Sequence, residues 1–308
     1  MRRPPDEFTV IRWMYNVYKG VERLSVREYY QPVSLLEALK RMRCNGLVKV
    51  LAGGTDLMIT LREKKLNPER IVDLSLIEEL KKISLDESLH IGSMVTFSEL
   101  ENNKNVKEVC PVLADAASRV GSPQIRNKGT LGGNLANGAT AADTVPVLMA
   151  LDAVAVIRSE SSTRYVPVKE IPSGLNATCL KEDELICDFI IPLHNDYFMD
   201  FEKVGRRKAL AISRINMAIV LKKEGEVIND VKIAFGAVGL TAYRSFRLEK
   251  FLKGKVLDEK LIHDACEMTE VIITEKLHGR KTTPYKKKIG AAVLRSALGK
   301  AMGGASVR

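Results

Sequence analysis

The chain has 308 residues, 28% of them charged and 45% hydrophobic, with a formal net charge of +10. That length predicts two or three packed units, and the composition excludes disorder. No apolar run approaches the ~18 residues that cross a bilayer, and the first residues lack the apolar stretch of a secretory signal, so the cytoplasm is the expected compartment.

In chain order, residues 1–25 carry Trp13, Tyr15 and Tyr18 without a clean period, and read as an N-terminal extension that packs on the body or on a partner. Ser34 and Glu37 have the spacing of a capping box and open an amphipathic helix with Leu35, Leu39 and Met42 on one face, which Asn45 and Gly46 end. Residues 48–52 form a short buried-type strand that runs straight into Gly53, Gly54, Thr55 and Asp56. Further strands are expected at 71–74 and 89–92, and Thr96 with Glu99 makes a second capping box. Pro111 suits the first turn of a helix whose apolar positions run through Leu113, Ala116, Ala117 and Val120. Asp143 stands where it would cap a helix through Val147 and Leu151, and strands are expected at 153–157 and 188–192. From about Phe201 the character changes. Residues 217–221 and 231–237, joined across Glu224 and Gly225, have a hairpin pattern, and two helical patterns follow, on Leu261, Ala265, Met268 and Ile272 and then on Ile289, Val293 and Leu298.

Between the helix at Pro111 and Asp143 lies a stretch, residues 121–143, with five glycines, three asparagines and three hydroxyl residues. Such a stretch reads as a loop that wraps backbone amides, hydroxyls and side-chain amides around something polar and anionic, because glycine lets the chain approach without a Cβ. Thr130, Leu131, Gly132, Gly133 and Asn134 are its centre. Together with the earlier turn at Gly53 and Gly54 it suggests two loops on one long, diphosphate-containing ligand lying across a junction of two small α/β subdomains. No Gly-x-Gly pair exists, which removes the Rossmann fingerprint, and no P-loop pattern exists either.

The five cysteines contain no Cys-x-x-Cys pair and do not cluster with the four histidines, so no iron–sulfur or zinc site is expected on this chain. Residues 280–288 hold Arg280, Lys281, Lys286, Lys287 and Lys288. With only 6% aromatic residues and no nucleic-acid motif, this segment reads as a solvated helix face or a partner-docking surface, and no nucleic-acid partner is expected.

The chain resembles the FAD-binding medium subunit of the molybdenum hydroxylases, the family of xanthine, nicotinate and carbon monoxide dehydrogenases. The residues that carry the resemblance are 52–57 (Ala-Gly-Gly-Thr-Asp-Leu), 124–127 (Gln-Ile-Arg-Asn), 130–134 (Thr-Leu-Gly-Gly-Asn), Asp143 and the stretch 201–213. It covers roughly residues 26–305. It implies an α+β fold: a vanillyl-alcohol-oxidase-like (PCMH-type) FAD-binding domain over 26–196, made of subdomains at about 26–92 and 93–196, and a C-terminal flavoprotein subdomain over 200–308 with a three-stranded antiparallel sheet plus helices.

By the same resemblance, Val50, Leu51, Ala52, Gly53, Gly54, Thr55, Asp56 and Leu57 form the loop on the FAD pyrophosphate, and Thr130, Leu131, Gly132, Gly133 and Asn134 the second diphosphate loop. Asp143 holds a polar part of the cofactor, Leu185 lies near the flavin, Lys203 is the FAD-contacting lysine, and Val120 stands where some relatives place an aromatic against the isoalloxazine. Other readings stand beside these: Asp143 as a helix N-cap, Lys203 and residues 206–208 as a solvated strand end, Arg126 as a loop brace, and Val120 and Leu185 as plain core.

The resemblance further implies noncovalent FAD, with no catalytic acid, base, nucleophile or metal ligand on this chain. [2Fe–2S] clusters belong to a small partner subunit and the molybdopterin to a large one. Electrons are expected to pass through FAD to NAD⁺ or another acceptor, in a holoenzyme that oxidises xanthine or a similar N-heterocycle. The alternative is a self-contained FAD-dependent oxidase of the related superfamily, which the absence of His or Cys from the glycine loops disfavours.

Overall fold

A computed structural model describes residues 26–63, 65–207 and 210–303. The aromatic N-terminal extension therefore lies outside the described residues. The first unit is a parallel sheet of order β1-β3-β2, with strands Glu28–Tyr30 (β1), Val48–Leu51 (β2) and Arg70–Asp73 (β3). Helix α1 (Leu35–Met42) crosses from β1 to β2, and the short α2 (Leu57–Arg62) lies between β2 and β3. Ser34 caps α1 by accepting from the Glu37 amide. The return bond comes from the Val33 amide, so the capping box closes one residue early. Leu35, Leu39 and Met42 face Val72, Leu74, Ile77 and Leu80 in a small core, as the period of the helix requires.

The second unit is an antiparallel sheet of order β4-β5-β10-β6-β7. Ile83–Leu85 (β4) and Ser88–Gly92 (β5) pair as neighbours. Five short helices follow: Phe97–Asn102 (α3), Lys104–Val109 (α4), Pro111–Ser118 (α5), Pro123–Arg126 (α6) and Leu131–Ala136 (α7), then Thr144–Ala150 (α8). Strands Val154–Arg158 (β6) and Thr163–Pro167 (β7) come next, then a two-stranded ribbon of Pro172–Gly174 (β8) and Ala177–Thr178 (β9). Leu185–Pro192 (β10) inserts between β5 and β6 and bonds to both. Because β5 belongs to this second sheet, the division between the first two units falls before Ile83 and not near residue 92. The sequence places β5 close to the first sheet, but its hydrogen-bond partner arrives almost a hundred residues later, where no local pattern announces it.

The third unit is a sheet of order β11-β12-β13-β14, made by Phe198–Gly205 (β11), Ser213–Glu224 (β12), Val227–Gly236 (β13) and the two-residue Tyr243–Arg244 (β14). Three long antiparallel strands thus form the body, with a short edge strand added. Helices Phe246–Leu252 (α9), Glu259–Leu277 (α10) and Thr283–Met302 (α11) follow. Side chains of β12 alternate between faces. Ile215, Met217, Ile219 and Leu221 join the core of α10 and α11. Ala218 and Val220, with Met199, Phe201 and Ala234, join the core of the second unit. Both faces of this sheet are dry.

Candidate functional site

A cleft of about 540 Å³ opens between the first and second units. Its walls are the end of β2, the turn 52–57, the segment from Ser93 to Phe97, the start of α7 and the stretch from Thr178 to Ile186. The two glycine turns meet in it. Gly53 presses on the second turn so closely that a Cβ there would overlap the Lys128 carbonyl, and a Cβ at Gly132 would overlap Ser93. Gly54 has φ +70°, a left-handed conformation that glycine adopts without strain.

The turns offer different things. Among the described residues, none accepts a hydrogen bond from the backbone N–H groups of Gly53, Gly54 or Thr55. Those amides are available to an anion. The amides of the second turn are already bound: Leu131 donates to the Val95 carbonyl (3.0 Å), Gly132 to the Ser93 carbonyl (2.9 Å) and Gly133 to Thr130 Oγ1 (3.1 Å). The expected loop at 121–143 therefore contains two short helices, α6 and α7. Ser122 caps α6 and Thr130 caps α7 through their side chains, the local chemistry that a serine or threonine ahead of a helical turn provides. What the second turn contributes is a flat glycine surface. A Cβ at Gly133 would meet only Thr130 Oγ1 at 2.9 Å and Ala52 Cβ at 3.4 Å.

Of the residues expected at the site, Val50, Ala52, Gly53, Gly54, Thr55, Asp56, Leu57, Val120, Thr130, Gly132, Gly133, Asn134 and Leu185 line this cleft. Leu51 and Leu131 do not, and Leu131 is fully buried in the core of the second unit. Val120 lies past the end of α5, which stops at Ser118.

Asp143 and Lys203 also stand outside the lining, and they pair with each other. Lys203 Nζ donates to Asp143 Oδ2 (2.6 Å) and to the Arg119 carbonyl (2.7 Å). Asp143 Oδ1 accepts from Ser213 Oγ (2.5 Å) and Asn216 Nδ2 (2.7 Å). The side chains of Asp143 and Lys203 are 7% and 9% exposed. Asp143 precedes α8 but makes no side-chain cap, and Lys203 is no solvated strand end. Burial explains both: a charge withdrawn from water needs its counter-ion more than the helix needs a cap. Arg126 is a brace. It reaches Glu101 (3.0 Å) and the Val120 carbonyl (3.5 Å), holding α6 against α3.

Two cleft residues carry signals that sequence reading misses. Ser93 is 3% exposed, and its Oγ has no partner, so a polar atom inside the cleft wall awaits one. Its only sequence signal is its place after the strand glycine Gly92. Cys44 also lines the cleft, outside both glycine turns. Free amides on one side, an orphaned hydroxyl, and glycines that let the two turns approach closely fit a long nucleotide with a diphosphate.

The fold and this cleft define a dinucleotide-binding unit without a Rossmann core. A family model described as "FAD binding domain in molybdopterin dehydrogenase" matches residues 23–194, and "CO dehydrogenase flavoprotein C-terminal domain" matches residues 201–301. The chain is 31% identical to the glyceraldehyde dehydrogenase medium chain of Sulfolobus acidocaldarius, covering 85% of this chain and 93% of that one. It is 32% identical to the xanthine dehydrogenase FAD-binding subunit of Escherichia coli O157:H7, over 78% and 83%. Xanthine dehydrogenase of Oryza sativa subsp. japonica is 25% identical over 82% of this chain but only 20% of its own length. Among solved structures, carbon monoxide dehydrogenase from Hydrogenophaga pseudoflava superposes with a TM-score of 0.84 at 28% identity, covering 92% of this chain and 99% of that one. The chain belongs to the FAD-binding flavoprotein subunits of the molybdopterin dehydrogenases, and is an oxidoreductase. No helix among the described residues is long and apolar enough to cross a membrane.

Proposed function

We propose that this chain is the electron-transfer subunit of a molybdenum-containing hydroxylase. It holds one FAD noncovalently, takes electrons from [2Fe–2S] clusters on a small partner subunit and delivers them to NAD⁺ or another acceptor. The molybdopterin and the organic substrate belong to a large partner subunit. When bound, the flavin supplies the redox chemistry, while the protein binds it and tunes its potential. The observation that carries the reading is the meeting of the two glycine turns in one cleft, with the amides of Gly53, Gly54 and Thr55 left without an acceptor among the described residues. Those amides suit the diphosphate, because a charged acceptor makes the stronger kind of hydrogen bond. Thr130, Gly132, Gly133 and Asn134 give the opposite surface, Ser93 offers its hydroxyl, and Val120 and Leu185 give apolar wall. Asp143 and Lys203 act at one remove, by tying β11 and β12 to the end of α5 and the start of α8.

Acid precipitation of the purified chain tests the cofactor: FAD recovered in the supernatant is expected, and colour kept in the pellet, or FMN in place of FAD, overturns it. Purification from the native host tests the partners. A stoichiometric complex carrying iron and molybdenum is expected, and a lone chain that turns over an organic substrate unaided makes the self-contained oxidase correct.

The proposed substrate is xanthine or a similar N-heterocycle, supported by the resemblance of residues 133–143 to purine dehydrogenases and of residues 208–213 to nicotinate dehydrogenase. Relatives named for glyceraldehyde and for nicotinate stand at 31% and 30% identity. Assay of the native complex with xanthine, nicotinate and glyceraldehyde decides it, and oxidation of the aldehyde alone overturns the heterocycle.

A further inference from the structure

One wall of the cleft has no regular structure of its own. Thr178, Leu180, Lys181, Glu182 and Leu185 line the cleft, and between the end of β9 at Thr178 and the start of β10 at Leu185 the chain forms neither helix nor strand. Cys179 and Leu180 pack against the core of the second unit, and one guanidinium bridges the two ends of the segment. Arg164, on β7, donates Nη2 to the Cys179 carbonyl (3.1 Å) at one end of the segment. It grips Glu184 at the other end in a two-pronged pair, Nε to Oε1 and Nη2 to Oε2, both 2.8 Å. Glu184 then closes the turn between them. Its Oε2 accepts from the Lys181 amide (2.8 Å), and its own amide donates to the Lys181 carbonyl (3.1 Å).

The carboxylate is deeply placed, since the Glu184 side chain is 3% exposed against 33% for Arg164. Hydrogen bonding to Arg164 holds the Glu184 carboxyl below its ordinary range, against the opposing pull of burial. Two needs meet here. The wall needs fixed ends because, past the Cys179 amide that donates to the Ile171 carbonyl (2.9 Å), its own backbone bonds close only the turn from Lys181 to Glu184. The cleft needs the Glu184 charge neutralised, because an unpaired carboxylate in its wall would repel an anionic diphosphate.

We propose that Arg164 and Glu184 are positioning residues that set the 179–184 wall and so govern how tightly the cleft holds its nucleotide, an inference that rests on the FAD reading above. Neither residue needs to take part in electron transfer. The pair fixes where Leu180 stands and how the turn from Lys181 to Glu184 closes, and its loss lets the wall swing out and the cofactor leave.

Trypsin and FAD titration of the full-length chain test this, because Lys181 is exposed at the turn of the wall, where its amide is bound by Glu184, and opening of that turn is expected to speed its cleavage. Arg164→Met is expected to speed cleavage after Lys181 in the cofactor-free chain, and to weaken FAD binding through faster release, each by roughly tenfold or more, as loss of hydrogen bonds to a charged group implies. Far-ultraviolet circular dichroism should be unchanged, and bound FAD should slow the Lys181 cut in the wild type. Arg164→Lys should recover only part of both effects, since one ammonium cannot reproduce the fork that reaches Cys179 and both Glu184 oxygens. Should Arg164→Met fail to fold, Glu184→Gln carries the same two readouts. Wild-type cleavage at Lys181 in these variants overturns the clamp, whatever the FAD affinity. Faster cleavage with unchanged FAD release overturns the link to the cofactor. A wild-type chain that binds no FAD, while Arg164→Met still opens at Lys181, overturns the FAD reading and leaves the wall clamp standing.

Discussion

Removing one member of a buried ion pair strands the charge of the other, and Lys203 with Asp143 is such a pair. Lys203→Met is expected to cost about 3 kcal/mol of stability, while Lys203→Met with Asp143→Asn should recover part of it. Urea unfolding of the single and double variants measures this, and equal losses in the two would show that the stranded charge is not the cause. A second residue-scale prediction separates the glycines. Gly53→Ala puts a methyl into the Lys128 carbonyl, so it should destabilise by about 1–3 kcal/mol and lose FAD together. Gly133→Val meets only the Thr130 hydroxyl and the Ala52 methyl in the protein, so flavin content should fall while circular dichroism stays wild-type. A flavin-replete Gly133→Val chain would remove that glycine from the cofactor surface. Both glycine turns were legible in the sequence because glycine's requirement is local and its clustering unusual. The partnership of Asp143 with Lys203 was not, since sixty residues separate them and each is also the kind of residue that touches a ligand. Ser93 was invisible, as a lone serine after a strand signals nothing by itself.

At the scale of elements, the amphipathic periods of α1, α10 and α11 and the turn of the β12–β13 hairpin could be read directly, because each buries one face at a fixed spacing. α6 and α7 were hidden in a glycine-rich stretch whose low helix propensity outweighs, by eye, the caps at Ser122 and Thr130. β10 read as shorter than it is, because its first residues, Leu185 to Cys187, follow directly on the wall segment. The link after β10 also carries a titratable group. His194 Nε2 contacts the Leu151 carbonyl at 2.9 Å, at the end of α8. Burial pushes the His194 pKa below its ordinary value, against the raising effect of that carbonyl. The folded state therefore resists a proton that the unfolded chain accepts. Its stabilising contribution is full above about pH 6.5 and is lost as the pH falls below that value. His194→Gln should flatten the fall in urea midpoint between about pH 7 and about pH 5. An unchanged slope would place the acid sensitivity elsewhere.

For the molecule as a whole, the sheet β11-β12-β13 is the decisive feature. One of its faces lies on α10 and α11, and the other completes the core of the second unit, with Phe201, Ala218, Val220 and Ala234 among its residues. Arg244 of β14 adds an ion pair to Asp152, beyond α8. The chain should accordingly unfold in a single calorimetric transition, and a fragment ending at residue 196 should aggregate, having bared the surfaces of α5 and α8 that the sheet covers. Two separate transitions would refute this.

The dry-sided sheet also constrains how genes for such proteins can be rearranged. Matches to family models divide the chain between residues 194 and 201, yet a break there would leave each half with an unpaired greasy face. Placement within a longer polypeptide, such as the rice relative of which this chain spans 20%, leaves that shared core untouched when the joins fall outside it. Lineages that split or merge these enzymes are thus expected to place their breakpoints at the ends of this unit and never in the link between β10 and β11. A census of gene fusions among relatives would expose an exception at once.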